Sequence, residues 1–490
     1  MKLPKINKEQ IVPLLVLYLS AILSIFLFKV LIPKGHFWIY ALPLVFFGAY
    51  FFLVKPDWLI LTLVFLTPLS IQIGQEKLGF SIDIPTEPIL VVLMLWFFFR
   101  MFFYGKADKT MLRHPISIVI ILSLVWMLIT VFFSELPIVS VKYFFSRLWF
   151  VSVFYFLALE LFKSYNHLKR YFWAFGISLV IVILITTIKH SFYGFDRKAG
   201  IWVVGPFFND HTVYSAVISL IAPMFLAWAL NTKASIQSRL IGLAFFAINI
   251  AGILFSYSRA SWVSFFAGLG VFFLMYFKVK ARYVLPILAL VIIGAFSFQK
   301  EIQIALEKNQ QESSGDFMEH FKSISNVTSD ASNLERINRW KSAIKLWEER
   351  PVTGWGPGTY QFVYAPYQVS EDLTIISTNV GDVGNAHSEY LGPLAETGLP
   401  GLIFYSLIVI FTLITGIRLN HKLKDKEARL IAIGCLAGLF TYFVHGFLNN
   451  FLDTDKASAL FWGLIAILVA LDAYHPDKKE DRNTNPDLTN

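Results

Sequence analysis

Four arginines and one histidine stand out because all five are expected on or near one face of the membrane in an otherwise strongly apolar chain. Arg147 lies inside Phe144-Phe145-Ser146-Arg147-Leu148-Trp149-Phe150, and Arg197 precedes Gly205-Pro206-Phe207-Phe208-Asn209-Asp210-His211. Arg259 lies in Ser256-Tyr257-Ser258-Arg259-Ala260-Ser261. Arg336 opens a polar helical stretch, and His387 lies in Gly384-Asn385-Ala386-His387-Ser388-Glu389-Tyr390. Charged side chains at membrane depth are costly, so each carries a functional hypothesis. A guanidinium stays charged and forks onto phosphate oxygens, and an imidazole exchanges its proton near neutral pH. Arginines meeting a histidine on one face suit a polyanionic ligand, and a lipid diphosphate presents such an anion at a membrane surface.

Neighbouring residues have plainer readings. A lone arginine at a membrane interface usually snorkels to headgroups, and Arg339, on a different helical face from Arg336, is expected to do so. His211 and His445 are expected to be hydrogen-bonded helix residues, and the Trp and Phe stripes to be interfacial belt or packing. Asp453-Thr454-Asp455 is a carboxylate pair of the kind that holds a divalent cation; a solvated loop or helix cap is the alternative. The chain has no P-loop, Rossmann glycine pattern, H-E-x-x-H or G-x-S-x-G, which argues against an ATP-driven pump, a zinc protease and an α/β-hydrolase.

The scaffold that must position these groups is a membrane one. The 490 residues are 56% hydrophobic, 17% aromatic and 15% charged, with mean hydropathy +0.61. Soluble domains carry about a quarter charged residues. Apolar runs fall near 11–32, 37–54, 57–73, 86–104, 115–134, 139–162, 170–190, 210–230, 239–256, 260–277, 282–298, 396–417, 428–449 and 456–473. Their length, about 20 residues, is that of membrane-spanning helices and not of barrel strands. The fold class is therefore an all-α polytopic membrane protein. It has twelve to fourteen spans, because only Lys55-Pro56-Asp57 separates the second run from the third. The net charge of +9 reflects Lys and Arg in alternate short loops, as positive-inside topology requires, and not a nucleic-acid partner. This places both termini in the cytoplasm. The single cysteine, Cys435, excludes an intramolecular disulfide and a cysteine-based metal site.

The same alternation puts the long polar segment 299–395 on the outer side. Trp340, Ile344 and Trp347 fall at helical spacing from about Asn333, with Arg336 one turn before Trp340. That helix is expected to lie along the membrane surface. Pro351 ends it, and Gly354-Trp355-Gly356-Pro357-Gly358 is turn chemistry. The chain divides into N-terminal spans (1–190), core spans (191–298), the outer segment (299–395), C-terminal spans (396–474) and a charged cytoplasmic tail (475–490) expected to be disordered.

At these residues the chain resembles the O-antigen ligase and polymerase family of bacterial membrane glycosyltransferases. His387-Ser388, nine residues, Gly398, two residues and Gly401 match the family's H-[NSQ]-x9-G-x-x-G pattern. Arg336-x-x-x-Trp340, the Pro351-x-x-Gly354-x-Gly356-x-Gly358 turn, Ser258-Arg259 and Gly205-x-x-x-Asn209 also look like family features, so the resemblance covers residues 190–470. It implies a GT-C-like fold in the bacterial cytoplasmic (inner) membrane. The implied chemistry is metal-independent, inverting glycosyl transfer on the outer face, with no cofactor. The donor would be a polyprenyl-diphosphate-linked glycan and the acceptor a glycolipid or glycan hydroxyl. Arg259 and Arg336 would clamp the diphosphate with Arg197 and Arg147 assisting, and His387 would act as general base. Ligase, polymerase and protein glycosyltransferase share these motifs. A transporter of lipid-linked sugars, the alternative from another class, would show internal repeats, and none is visible.

Overall fold

The computed structural model describes residues 56–73, 82–105, 108–280, 282, 331–373, 377 and 384–475. The predicted spans 11–32, 37–54 and 282–298 (all but Arg282 of the last), the first part of the outer segment, 299–330, and the tail 476–490 lie outside the described residues. The chain is an all-α polytopic membrane protein. Its helices are α1 (Pro56–Leu66), α2 (Thr86–Tyr104), α3 (Pro115–Val131), α4 (Pro137–Leu161, with a π-helical turn at Ser152–Leu157), α5 (Tyr165–Ser191), α6 (Arg197–Trp202), α7 (His211–Ala229), α8 (Ile236–Phe255), α9 (Arg259–Tyr276), α10 (Ala331–Glu349), α11 (Tyr360–Val363), α12 (Leu391–Lys422), α13 (Lys426–His445) and α14 (Asp455–Ala473). Among the described residues nine helices are long and apolar enough to cross a membrane, and α1 and α3 are shorter apolar helices. Together they account for every predicted span within the described residues. Departing from a purely helical chain, Ile71–Ile73 and Ile82–Ile84 pair as a small antiparallel hairpin, β1–β2.

The bundle is organised around α14, α13 and α7. Every residue of α14 from Asp455 to Leu471 is buried. A helix apolar all round is stable only when enclosed on all sides. In a membrane, close approach between helices rests on small residues. On α13 the pair Gly434-x-x-x-Gly438 supplies it: a Cβ on Gly438 would strike the Leu220 carbonyl of α7. The outer helices α2 and α8 instead expose apolar side chains such as Phe102, Phe103, Ile241 and Leu243, as lipid-facing helices should.

Polar contacts segregate to the two ends of the bundle. At one end Lys163 pairs with Asp108 (2.6 Å), Lys233 with Asp425 (2.5 Å) and Lys169 with Glu427 (3.1 Å). At the other, Arg350 pairs with Glu135 (2.8 Å), the Tyr257 hydroxyl donates to the Phe195 carbonyl (2.7 Å) and the Glu389 N–H donates to the Gly446 carbonyl (2.7 Å). The loops that charge alternation predicts to share a side do share an end, and the described part of 299–395 lies at the second.

The described outer segment is built onto the bundle rather than laid beside it. The buried stripe of α10 is Glu335, Asn338, Arg339, Ser342, Ala343 and Leu346, which packs against α12 and the segment Tyr360–Tyr367. On the expected apolar face Ile344 is exposed, while Trp340 is half-buried against the His387 segment. Hydrophobic periodicity misses the buried stripe because four of its six residues are polar. Arg339 is corrected with it. It is 4% exposed, pairs with Glu335 at 2.7 Å and lies 4.3 Å from the Tyr364 ring centre. It holds the segment together and does not contact headgroups.

Candidate active site

The His387 segment is held from both sides. The Trp340 indole N–H donates to the His387 carbonyl (3.3 Å), and the His387 N–H donates to Asn385 Oδ1 (3.1 Å). His387 itself is left-handed, with φ +48°, a conformation that non-glycine residues adopt rarely and mostly where surroundings impose it. Ser388 Oγ accepts from the Tyr390 and Leu391 N–H groups (3.2 and 3.3 Å), capping α12 as serine does. That need for a short side-chain oxygen gives a physical reason for the H-[NSQ] pair. Glu389 Oε1 then accepts from the Tyr442 hydroxyl (2.6 Å) and the Phe451 and Leu452 N–H groups (2.8 and 2.9 Å).

The two glycine motifs are halves of one joint. Gly398 breaks α12 with φ 71° and ψ −171°, a region open to glycine alone. There the Pro351–Gly358 turn docks by backbone: Trp355 N–H to Ala395 (3.1 Å), Gly356 N–H to Glu396 (2.8 Å) and Leu399 N–H to Pro351 (2.9 Å). A Cβ on Gly398 would collide with the Val352 carbonyl, and one on Gly354 with the Glu396 carbonyl. Gly401, one turn on, lies under the Thr397 side chain. The joint fixes α12, and so His387, relative to α10.

Three arginines from three elements lie within electrostatic reach of one another, and one of them, Arg336, also reaches His387. Asp196 caps α6 by accepting from the Lys198 and Ala199 N–H groups (2.9 and 3.2 Å), which sets Arg197 at the first helical position. Arg259 opens α9 after Ser258. Arg336 comes from α10, and its Nε donates to the Leu448 carbonyl (3.2 Å). Arg197 and Arg336 both lie close enough to Arg259 to repel it, and Arg336 and Arg339 act likewise on His387. Asp210, which caps α7 through Thr212 (2.7 Å), supplies opposing charge to Arg336 and His387. Burial, then Arg336 and Arg339, push the His387 imidazole down to about 4, against a hydrogen bond between the ring and Asn449 that favours its protonated form. At neutral pH the ring is therefore uncharged and able to accept a proton. Clustered guanidiniums at the N-terminus of α9 are chemically suited to an anion, because a helix N-terminus adds its dipole to their charge.

Asn449 is the residue that motif reasoning missed. It also lies 3.1 Å from His445 Nε2, so it links the two histidines. Its sequence signal is weak: an asparagine four residues after a histidine, at helix-neighbour spacing. His445 matches its expected role through this contact with Asn449, and His211 lies 3.0 Å from Asp210 at the start of α7.

Arg147 is placed elsewhere. Its guanidinium donates to the Leu452 carbonyl (3.1 Å) and the Tyr143 hydroxyl (2.9 Å), and Glu389 and Asp453 supply its opposing charge. These groups line a cavity of about 170 Å³ on the other side of the Asn385–Glu389 segment. The Asp453-Thr454-Asp455 triplet is split. Asp453 faces that cavity, while Asp455 is buried, accepts from Ser70 (2.9 Å) and Thr86 (2.7 Å), and pairs with Lys456 (3.3 Å). Its two carboxylates do not form one chelating pair, and Asp455 is not a solvated loop residue either.

No curated protein sequence matches the chain. Residues 244–406 match the family model described as O-antigen ligase. That stretch contains Arg259, Arg336, Trp340, Gly354, Gly356, His387, Gly398 and Gly401, whereas Arg147, Arg197 and Asn449 lie outside it. The stretch that matches this family model therefore holds α9, α10, the glycine joint and the His387 segment, within a multi-pass membrane protein.

Proposed function

We propose that the protein transfers a glycan from a polyprenyl-diphosphate carrier to an acceptor hydroxyl, as an O-antigen ligase-type glycosyltransferase of the bacterial cytoplasmic membrane. The observation that supports this reading is the clustering of Arg197, Arg259 and Arg336, of which Arg336 also acts on a neutral His387. The arginines hold the diphosphate and stabilise the charge that grows on it as the glycosidic bond breaks. Fixed guanidiniums can do this without a metal, because the diphosphate is already a good leaving group. His387 accepts the proton of the attacking hydroxyl, and Asn449 orients its ring. Attack opposite the leaving diphosphate inverts the anomeric centre. An outer-face location is supported by the Lys- and Arg-rich loops, which lie at the opposite end of the bundle from His387.

The test is transfer by purified protein in nanodiscs, given a defined lipid-linked glycan with and without acceptor lipid. A product that requires acceptor lipid identifies a ligase; a ladder from donor alone identifies a polymerase. His387→Ala is expected to reduce transfer by about 10²- to 10⁴-fold, as loss of a general base does. Transfer retained in that variant would remove the general-base role.

A further inference from the structure

Arg197 and Arg259 repel each other, yet the fold keeps them together. Like charges at short range separate unless the segments carrying them are tied. The segment that carries Arg197 is slight. Helix α6 has six residues, Arg197–Trp202. Ala199 and Gly200 face inward, while Ile201 and Trp202 are exposed. A helix of this length is not stable by itself, so its neighbours set its place.

Tyr257 supplies a tie between the two arginine-bearing segments. Its hydroxyl donates to the Phe195 carbonyl (2.7 Å), across 62 positions of sequence. The two ends of this bond are alike. Phe195 stands two residues before Arg197 and Tyr257 two residues before Arg259, and both are left-handed, with φ +57° and +53°. Non-glycine residues adopt that conformation rarely, and it persists where the surroundings impose it. Each of these turns leads the chain into a helix whose first residue is the arginine. The Tyr257 ring also packs under α6, since a Cβ on Gly200 would come within 2.9 Å of it. Burial, then Asp196, hold the phenol above its ordinary value of 10.0, so it stays a donor at neutral pH. His190 closes the clamp from α5. Its Nε2 donates to the Asp196 carbonyl (2.8 Å), and its ring meets those of Phe195 and Tyr257 edge-on, with centres 5.3 and 6.2 Å away.

We infer that Tyr257 is a positioning residue: its bond to the Phe195 carbonyl ties α6 to the start of α9 and holds Arg197 beside Arg259, so that both address one anion. The inference rests on the transfer reading for the identity of that anion, a lipid diphosphate. Tyr257 acts through Arg197 and needs no contact with the donor. A tie of this kind keeps the arginines assembled before donor arrives, which lowers the cost of ordering them on binding.

The test is Tyr257→Phe, which removes only a hydroxyl, in nanodiscs titrated with polyprenyl diphosphate. Its Kd should rise about fivefold, the effect of one net hydrogen bond. In an Arg197→Gln background the same substitution should leave Kd unchanged, because residues that act as a unit are not additive. A hydroxyl that served the fold alone would weaken binding equally in both backgrounds. That result, or an unchanged Kd in the Tyr257→Phe single variant, overturns the inference. Should wild-type protein bind no polyprenyl diphosphate, the diphosphate reading falls and the tie is judged by amide hydrogen exchange. Residues 196–203 should then exchange about fivefold faster in Tyr257→Phe than in wild type, as for a local opening that has lost one hydrogen bond; equal exchange overturns the tie.

Discussion

The displaced acidity of His387 gives the sharpest prediction. Its fall from the ordinary 6.5 to about 4 corresponds to ~3 kcal/mol of penalty on the imidazolium. Burial is the first cause, with Arg336 and Arg339 next. The pH profile of kcat/KM reports the free enzyme, so its acid limb should fall near 4. At pH 5.5 the reaction should retain about 97% of its plateau, against about 10% for an unperturbed histidine. Arg336→Gln removes one of the two cations and should raise the limb by about one pH unit, the size of a charge pair several ångströms apart in a medium of intermediate dielectric. A bound diphosphate cancels the same field, so the limb of kcat, which reports the complex, should lie above that of kcat/KM. The base would then strengthen only when donor is present. Coincident limbs near 6.5, or a limb unmoved by Arg336→Gln, would refute the electrostatic argument. The stability consequence has a fixed sign. The unfolded chain takes up this proton near 6.5 and the folded chain near 4, so acid between those values favours unfolding.

Three further outcomes follow from the geometry. Arg259→Lys keeps the charge but loses the fork, and donor KM should rise at least tenfold in a transfer assay while acceptor KM holds. Trp340→Phe deletes the indole hydrogen bond to the His387 carbonyl; kcat should fall about fivefold, as for one net hydrogen bond, with donor KM little changed, and an unchanged kcat would mean that the indole does not position His387. Gly398→Ala places a Cβ against the Val352 carbonyl at a backbone angle suited only to glycine. It should cost about 2 kcal/mol or more, seen as a lowered thermal-inactivation temperature, whereas Leu399→Ala at the adjacent exposed position should shift it little.

Much of the architecture follows from local chemistry. A twenty-residue apolar run in lipid must satisfy its own backbone, so it becomes a helix, and every predicted span within the described residues is one. Charge alternation works for the same reason: each loop is sorted to a side by its own lysines and arginines. Arg197, Arg259, Arg336 and His387 were legible because charge alternation puts them all on or near one side of the bundle, where each lies at or near the end of a span or in the long polar segment. The glycine spacing was legible as a motif, though not as a joint between Pro351–Gly358 and Gly398.

Partnership could be decided only in three dimensions. Arg147 looks like the other arginines in sequence, yet α4 directs it to Tyr143 and the Leu452 carbonyl, because its surroundings come from residues three hundred positions away. Arg339 resembles a surface cation and is buried against Glu335 and Tyr364, since the docking face of α10 is set by its neighbours and not by its own hydrophobicity. Asp453 and Asp455 are two residues apart and face different compartments. The sequence alone determined which residues are too costly to be incidental; packing decided which of them share a site, because electrostatic and hydrogen-bond partners act over a few ångströms of space and not along the chain.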